Sequence, residues 1–369
     1  IVSRMNDEII HRGPDDDGIY SFKDENINVA IGMRRLSIID VNSGNQPMFS
    51  EDKKVIIVFN GEIYNYKKLK YKLENDHDIK WRTCSDTEVI LKMYECYGLE
   101  SFGMLDGMFA FSIVDKNKNK VFIARDFFGE KPLFFTKTNN SILWASELKS
   151  IVRSEQKKLE LSKKALSIYF QLTYIPSPYS IYKDSFKLEP HHYITLDMKS
   201  LDLSINPILE TKKWNNYPGI DFNSAKKINY DLVMKSVESR SVSDVPIGTF
   251  LSGGVDSSIV SHCLAKIKST PIDTFSMGFE KQSFDETDKS KLVSKLINSR
   301  HHEFTVSDSN MREYSNDLIL NYDEPFADSS ALPTYMISKF TRDEVKVALT
   351  GDGGDELYGC LLYTSPSPR

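Results

Sequence analysis

The sequence predicts an α/β protein of two domains, and three observations support this prediction. The chain has 369 residues, whereas a single domain usually takes about 100–200. Its first half contains short apolar runs separated by turns, which predict the strands of a β-rich domain. After about Asn223, long helical patterns alternate with short apolar runs, which is typical of a parallel, doubly wound sheet.

Composition and charge exclude several classes of protein. The chain carries 47 Lys+Arg against 52 Asp+Glu, a formal net charge of −5, whereas nucleic-acid binders usually carry an excess of positive charge. The four cysteines are too few and too scattered for a disulfide framework or a zinc site. No apolar run approaches the ~20 residues that a membrane helix needs. We therefore expect a cytoplasmic protein with no nucleic-acid or membrane partner.

The N-terminal half predicts four strands and one well-marked helix. The strands are expected at residues 55–59, 108–114, 121–124 and 133–135, with a polar hairpin turn at residues 115–120. Ser85 and Glu88 have the spacing of a capping box, in which each side chain bonds the other's backbone N–H at the start of a helix. Val89, Met93 and Cys96 then recur at helical spacing, so we expect a helix from Asp86 onwards.

The C-terminal half predicts helices and strands in alternation. We expect helices at residues 224–242, 257–268 and 286–298, and strands at residues 247–251, 274–279 and 345–349. Prolines punctuate the stretch between Ile151 and Ile220, which places the domain boundary there. The predicted organisation is an N-terminal domain over residues 1–155, a connecting segment over 156–222, a C-terminal domain over 223–359 and a non-native tail over 360–369.

A glycine loop between a predicted strand and a predicted helix gives the sharpest chemical signal. It reads Leu251-Ser252-Gly253-Gly254-Val255-Asp256-Ser257-Ser258. Two glycines let backbone N–H groups approach an anion, and the helix that follows presents its positive N-terminus. Asp256 would repel a phosphate unless a cation lay between them, so the loop predicts a phosphate group together with Mg²⁺. The alternative is a structural strand–turn–helix connection.

A second acidic glycine loop follows the last predicted strand. It reads Thr350-Gly351-Asp352-Gly353-Gly354-Asp355-Glu356. Three glycines among three acids suit a backbone that bends closely around a ligand, with carboxylates that meet a metal. The alternative is a solvated acidic turn. Both loops are expected at strand ends of one sheet, which favours a shared site.

The first half offers a different set of polar groups. Asn60 and Gly61 follow a predicted strand and could present a side-chain amide beside a backbone N–H, as an oxyanion hole does. Asn-Gly is also a common turn signal, so a turn is the alternative. Arg35, Glu62 and Asp86 could hold a zwitterion, with the arginine on the carboxylate and the acids on the ammonium. Surface ion pairs are the alternative for these three.

These motifs together resemble a known family. Six motifs resemble, in chain order, those of a class II glutamine amidotransferase domain: residues 11–15 (His-Arg-Gly-Pro-Asp), 35–37, 60–65, 85–86, 125–126 and 146–147. The two glycine loops resemble those of an ATP pyrophosphatase domain. The whole resembles glutamine-hydrolysing asparagine synthetase of family B, over about residues 4–359. The resemblance implies an αββα N-terminal-nucleophile glutaminase-like sandwich, followed by a sheet of the adenine nucleotide α-hydrolase-like type.

The resemblance implies a role for each matching residue in the first domain. Arg35 would bind the glutamine α-carboxylate, and Glu62 and Asp86 would bind the α-amino group. Asn60 and Gly61 would form the oxyanion hole. The family nucleophile is an N-terminal cysteine whose α-amine acts as the base. This chain opens at Ile1 without it, so we expect the chain as written to lack glutaminase activity and to begin inside a longer protein. Cys84 lacks an α-amine and is not expected to substitute.

The resemblance also implies roles in the second domain. Asp256 and Asp355 would hold Mg²⁺, and Asp352 would act in the activation step. The residues expected around ATP are Leu251 and Met277 at the adenine and ribose, Ser252, Gly253, Gly254, Asp256, Ser257 and Ser258 at the pyrophosphate, and Thr350 and Gly351 near the nucleotide. Aspartate recognition is assigned to residues 323–330, for which an ordinary loop is the alternative.

The implied reaction joins the two domains. Glutamine is hydrolysed to glutamate and ammonia, aspartate attacks the α-phosphorus of ATP to give β-aspartyl-AMP and pyrophosphate, and ammonia displaces AMP. An adenylate is destroyed by water in an open site, so ammonia should travel internally. The implied partners are therefore glutamine, aspartate and ATP, and family members are often homodimers.

Other functions stay open at this point. A related amidotransferase could adenylate a sugar acid or a β-lactam precursor in place of aspartate. A tRNA-modifying adenylating enzyme shares the Ser-Gly-Gly-x-Asp-Ser loop, although the net charge of −5 disfavours it. A non-catalytic amino-acid or nucleotide binder is the third alternative.

Overall fold

The computed structural model describes residues 1–24, 27–138, 140–154, 159–209, 218–280 and 287–358. The chain divides into two compact units. The first comprises Ile1–Asn215 together with Tyr322–Ala327, and the second comprises Asn216–Asn321 together with Asp328–Arg369. The predicted connecting segment contributes a helix and three strands to the first unit. The predicted tail lies outside the described residues.

The first unit contains three sheets. Its strands are β1 (Asp16–Asp24), β2 (Ile27–Arg35), β3 (Met48–Phe49), β4 (Val55–Ile63), β5 (Gly107–Asp115), β6 (Lys120–Arg125), β7 (Phe134–Lys137), β8 (Ile142–Ala145), β9 (Ser185–Lys187), β10 (His192–Asp197) and β11 (Leu203–Pro207). Six strands form an antiparallel sheet in the order β11-β10-β6-β5-β4-β3. The pair β1-β2 and the triplet β8-β7-β9 form two smaller sheets.

Helices cover both sides of these sheets. They are α1 (Val2–Asp7), α2 (Tyr66–Asp76), α3 (Asp86–Tyr97), α4 (Leu148–Ser154) and α5 (Lys163–Leu172). Helix α3 packs on β3 and β4, whereas α1 packs on β2 and α4 on β7 and β8. Between the sheets lies an apolar core that includes Ile31, Ile56, Ile123 and Phe135, all buried. The layers are helix, sheet, sheet, helix, so the predicted αββα sandwich is confirmed.

One alternative and one prediction in the first unit are wrong. Asn60-Gly61 is not a turn, because β4 runs through both residues and pairs with β5 as far as Ile63. Ser85 caps α3 by accepting from the Thr87 N–H at 3.1 Å. Glu88, however, does not complete a capping box. Its carboxylate instead accepts from the Arg82 and Thr83 N–H groups in the loop before the helix.

The second unit is built around a four-stranded parallel sheet. Its elements are α6 (Phe222–Arg240), β12 (Ile247–Phe250), α7 (Val255–Ile267), β13 (Asp273–Phe279), α8 (Thr287–Leu296), β14 (Arg300–Val306), α9 (Asp308–Asn321), α10 (Ala331–Thr341), β15 (Val347–Leu349) and α11 (Gly354–Leu357). The predicted alternation of strands and helices is therefore confirmed. Strand β14 was not predicted, because Arg300-His301-His302-Glu303 gives it a polar start.

The strand order of this sheet places a candidate site. The order is β14-β13-β12-β15, with every pair parallel. The chain moves outwards from β12 to β13 and β14, and then returns to add β15 on the other side of β12. The order therefore reverses between β12 and β15, and open parallel sheets bind ligands beyond the carboxyl ends of the strands at such a point. Among the described residues, no helix is long and apolar enough to cross a bilayer.

Candidate active sites

The first unit contains a cavity of about 520 Å³ that gathers the predicted glutamine residues. All five of them line it: Arg35, Asn60, Gly61, Glu62 and Asp86. They come from the end of β2, the second half of β4 and the first turn of α3. We call this cavity the cleft.

The oxyanion-hole candidates lie side by side on β4. Gly61 has φ +150°, and a Cβ built there would lie 2.0 Å from the Met108 carbonyl oxygen on β5. Only glycine therefore lets the two strands pair here while Asn60 keeps its place beside the cleft. The Asn60 Nδ2 is buried without a hydrogen-bond partner among the described residues. A buried amide of this kind is available for a ligand oxygen.

Two buried carboxyl groups share the cleft. Glu62 is 5% exposed and Asp86 is 4% exposed. Burial raises the pKa of Glu62 to about 7, and the nearby Asp86 adds to the rise. Burial likewise raises the pKa of Asp86 to about 6, although Asp86 accepts from the Ile63 N–H at 3.1 Å. Glu62 Oε1 has no hydrogen-bond partner among the described residues. A bound ammonium would supply the missing donor and charge.

Arg35 is held by the loop that follows it. Its guanidinium donates to the carbonyls of Ile39 and Asp40 at 3.0 and 2.7 Å, and more weakly to Val41 and Asn45. Arg35 is 7% exposed, and Glu62 and Asp86 are buried as well. The alternative of surface ion pairs is therefore wrong for these three residues.

Other predicted motifs of the first unit meet around Glu147. His11 Nε2 lies 2.9 Å and Arg12 Nη1 lies 3.0 Å from the same Glu147 oxygen. Segment 322–327 belongs to this unit and is held by its groups. Asp323 accepts from the Leu148 N–H at 2.5 Å, and Glu324 accepts from the Ile181 N–H at 2.7 Å.

Sequence reasoning missed two residues of the cleft. Gln46 is buried, accepts from the Phe59 N–H at 2.7 Å and donates to Thr87 Oγ1 at 3.2 Å, so it ties β4 to α3. Lys131 follows the predicted Arg125-Asp126 motif and also lines the cleft. A lysine just before the apolar run Leu133–Phe135 was the available signal. Cys84 is exposed and is not among the cleft-lining residues.

The first glycine loop of the second unit connects β12 to α7. Ser252 Oγ lies 2.9 Å from Ser257 Oγ and accepts from the Gly254 N–H at 3.2 Å. Ser258 Oγ donates to the Gly254 carbonyl at 2.6 Å. Gly253 has φ +82°, a conformation that favours glycine. The serines thus fold the loop back on itself before the helix begins.

The second glycine loop lies directly against the first. A Cβ on Gly351 would lie 2.6 Å from the Ser257 nitrogen, and one on Gly354 would lie 2.6 Å from Asp256 Cγ. These contacts join the ends of β12 and β15, where the strand order reverses. Thr350 Oγ1 donates to Asp352 at 2.9 Å, and Asp352 is exposed.

Acidic side chains converge at this junction of loops. Burial raises the pKa of Asp256, and repulsion from Asp355 and Glu356 raises it further. Asp355 is exposed and Asp256 half-buried, so a ligand can reach both. Within the described ranges, no three His, Cys, Asp or Glu side chains form a ready-made metal site. Two carboxylates still fit Mg²⁺, which usually takes one or two carboxylates and completes its shell with substrate phosphates and water.

The remaining predicted ATP residues are less accessible. Leu251 is fully buried, and its N–H donates to the Phe275 carbonyl at 2.7 Å. Met277 lies on the neighbouring strand β13 and is half-buried.

Comparison with known proteins agrees with this division into two sites. The family described as glutamine amidotransferase domain matches residues 1–206, and the family described as asparagine synthase matches residues 230–369. A putative glutamine-hydrolysing asparagine synthetase of Methanocaldococcus jannaschii is 39% identical over 97% of this chain and 72% of that protein. The chain belongs to the glutamine-hydrolysing asparagine synthetase family. These relatives are named for glutamine hydrolysis and asparagine synthesis.

Further comparisons show how much of the length of each relative the chain spans. Asparagine synthetase 1 of Bacillus subtilis is 39% identical over 99% of this chain, but only 56% of that protein is covered. Among solved structures, a glutamine phosphoribosylpyrophosphate amidotransferase from B. subtilis covers 73% of this chain and 61% of that one, with 18% identity and a TM-score of 0.41.

Proposed function

We propose that the protein to which this chain belongs makes asparagine from aspartate, ATP and glutamine. The observation that carries the proposal is the pair of separate sites: a buried cleft with an amide and two carboxyls, and two glycine loops with converging acids. The first suits an amino acid with an amide side chain, and the second suits a nucleotide. One chain with both sites suits a reaction that moves ammonia onto an activated carboxylate.

The cleft is proposed to bind glutamine. Glu62 and Asp86 take the α-ammonium, because both are buried carboxyls and one Glu62 oxygen lacks a donor among the described residues. Arg35 takes the α-carboxylate, because its guanidinium charge is held at the wall of the cleft by the loop that follows β2. Asn60 Nδ2 and the Gly61 N–H stabilise the oxyanion that forms when the side-chain amide is attacked. The nucleophile is the N-terminal cysteine of the family, which is not a residue of this chain.

The two glycine loops are proposed to bind ATP. The α7 N-terminus and the backbone around Gly253 and Gly254 receive the phosphates. Asp256 and Asp355 hold Mg²⁺, which would supply charge neutralisation between the phosphates and these carboxylates. Asp352, exposed on the second glycine loop, acts in the activation of aspartate. Aspartate recognition is proposed for residues 328–330 of segment 323–330, because residues 323–327 belong to the first unit, where Asp323 and Glu324 are bonded.

We further propose a cytoplasmic location, and no nucleic-acid or membrane partner. The net charge of −5 and the four scattered cysteines support this proposal. A homodimer is proposed on family grounds, and light scattering of the purified protein measures it. The alternative acceptors, a sugar acid or a β-lactam precursor, are not favoured by the relatives.

Ligand binding to the chain itself tests both halves. In calorimetry, ATP with Mg²⁺ should bind the wild type, and Asp256→Asn should weaken binding about 30-fold through loss of a metal ligand. Asp231→Asn, on the exposed face of α6, is the matched control and should bind as the wild type does. Glutamine should bind independently of ATP. Equal ATP affinity for Asp256→Asn and Asp231→Asn would reject the nucleotide site.

A further inference from the structure

The loop between β6 and β7 is fixed by two charged side chains. Asp126 is fully buried and accepts from the backbone N–H groups of Phe109 at 3.1 Å and Lys131 at 2.9 Å, among others. Arg125 donates to the carbonyls of Lys131 at 2.8 Å and Gly129 at 2.7 Å. Both backbone groups of Lys131 are therefore held, which fixes the point from which its side chain extends.

That placement brings the Lys131 side chain to the wall of the cleft. Lys131 lines the cavity together with Glu62, Asp86 and Arg12. Burial dominates the pKa of Glu62 and raises it, the attraction of Lys131 lowers it, and the repulsion of Asp86 raises it. Lys131 is thus a cation of the cleft wall that favours the charged form of Glu62.

We propose that Lys131 is a positioning residue for glutamine, whose ammonium at the wall of the cleft favours the ionised form of the Glu62 carboxylate, so that Glu62 can receive the α-ammonium of the substrate. The inference deepens the proposed function and rests on it. Lys131 itself contacts no reacting atom in this scheme. It acts through Glu62 alone.

Other charged groups in and around the cleft surround Lys131 and Glu62, and several of them shift the pKa values of this pair. Glu62 faces Lys131 and Asp86, and the cleft is also lined by His11, Arg12 and Arg35. For Lys131, burial and then Arg12 lower the pKa, whereas Glu62, Glu130 and Asp126 raise it. Lys131 and Glu62 therefore each stabilise the charged form of the other.

The sign of the effect follows from proton linkage. Glutamine binds best when Glu62 is ionised, so affinity falls as the pH drops through the pKa of Glu62 in the free protein. Removing the Lys131 charge raises that pKa further. The fall in affinity then occurs at a higher pH, by about one unit for a tenfold change in proton affinity.

The experiment measures glutamine affinity of the chain by calorimetry from pH 5.5 to 8.5. Compared with wild type, Lys131→Met should move the midpoint of the affinity profile up by about one pH unit and weaken binding about tenfold at pH 6.5. Lys131→Arg should restore the wild-type profile, and Lys137→Met, an exposed lysine at the end of β7, should not change it. Glutaramate, which is glutamine without the α-amino group, should show no shift with any variant.

The outcomes separate this inference from the proposed function. If wild type binds glutamine and Lys131→Met has the same profile, the inference is wrong and the glutamine site stands. If wild type binds no glutamine at any pH, both are rejected.

A second comparison applies if Lys131→Met does not fold. Glu62→Gln with Lys131→Gln, which keeps a polar side chain at position 131, leaves neither member of the pair charged, and it is compared with Glu62→Gln alone. Equal glutamine affinity supports action through Glu62, whereas a further loss contradicts it.

Discussion

The cleft and the glycine loops deal with charge by opposite means. In the cleft, carboxyls on Glu62 and Asp86 are almost fully buried, and the protein provides the environment that sets their charge. At the loops, Asp355 is exposed and Asp256 half-buried, and burial together with repulsion from Asp355 raises the pKa of Asp256. Under the proposed function, buried groups fixed in the cleft match an ammonium, whereas the accessible carboxylates at the loops match a polyphosphate together with a metal.

The largest expected effect is on stability and concerns the cleft. Gly61→Ala should destabilise the first unit by about 3 kcal/mol, because the new Cβ would meet the Met108 carbonyl oxygen at 2.0 Å and φ is +150°. Gly98→Ala is the control. Gly98 has φ +59° with nothing within 4 Å, so only the conformational cost of about 1–2 kcal/mol remains. Urea unfolding measures both, and equal losses would show that the strand contact is not rigid.

The pH dependence of stability tests whether burial in the cleft opposes the ionisation of Glu62. The pKa of Glu62 is raised by folding from its ordinary value of 4.5 to about 7, so its ionisation costs stability as the pH rises through this window. Glu62→Gln should therefore stabilise the protein by about 2 kcal/mol at pH 8 and by almost nothing at pH 4. Glu74→Gln, exposed on α2, should do neither. A constant difference between pH 4 and 8 would contradict the burial of an ionisable charge.

The smallest expected effect on stability concerns the glycine loops. Gly354→Ala would place its Cβ 2.6 Å from Asp256 Cγ, the end of a side chain that can move. We expect a stability change below about 1 kcal/mol and an approximately threefold weaker binding of ATP with Mg²⁺, since Asp256 must shift. Calorimetry measures the affinity for ATP, and urea unfolding measures the stability. A stability loss as large as that of Gly61→Ala would erase the distinction between the sites.

The same contrast explains how much the sequence could predict. The glycine loop at 251–258 is a local motif between a strand and a helix, and its contact with the loop at 350–356 follows from the order of parallel strands. Helix and strand bounds there were predicted within a few residues. The motif alone was enough to predict the loop, because the residues that form the loop are neighbours along the chain.

The cleft depended on tertiary structure that no local pattern encodes. Asn60-Gly61 has the composition of a turn, but pairing with β5 keeps it in a strand. Glu88 has the spacing of a capping box, but the loop before α3 takes its carboxylate. Lys131 was missed because Arg125 and Asp126 position its backbone through side-chain hydrogen bonds within the loop between β6 and β7. Only the strand pairing is a long-range contact, and the other two cases depend on side-chain bonds to loop backbone.

The chemistry of activation is tested most directly by following an oxygen atom. Aspartate labelled with ¹⁸O in its side-chain carboxylate is incubated with ATP, Mg²⁺ and ammonia, using a protein that joins this chain to the terminal regions of its relatives. Attack on the α-phosphorus predicts one ¹⁸O in the AMP released, with unlabelled pyrophosphate. Label in inorganic phosphate with ADP as the other product would contradict the account.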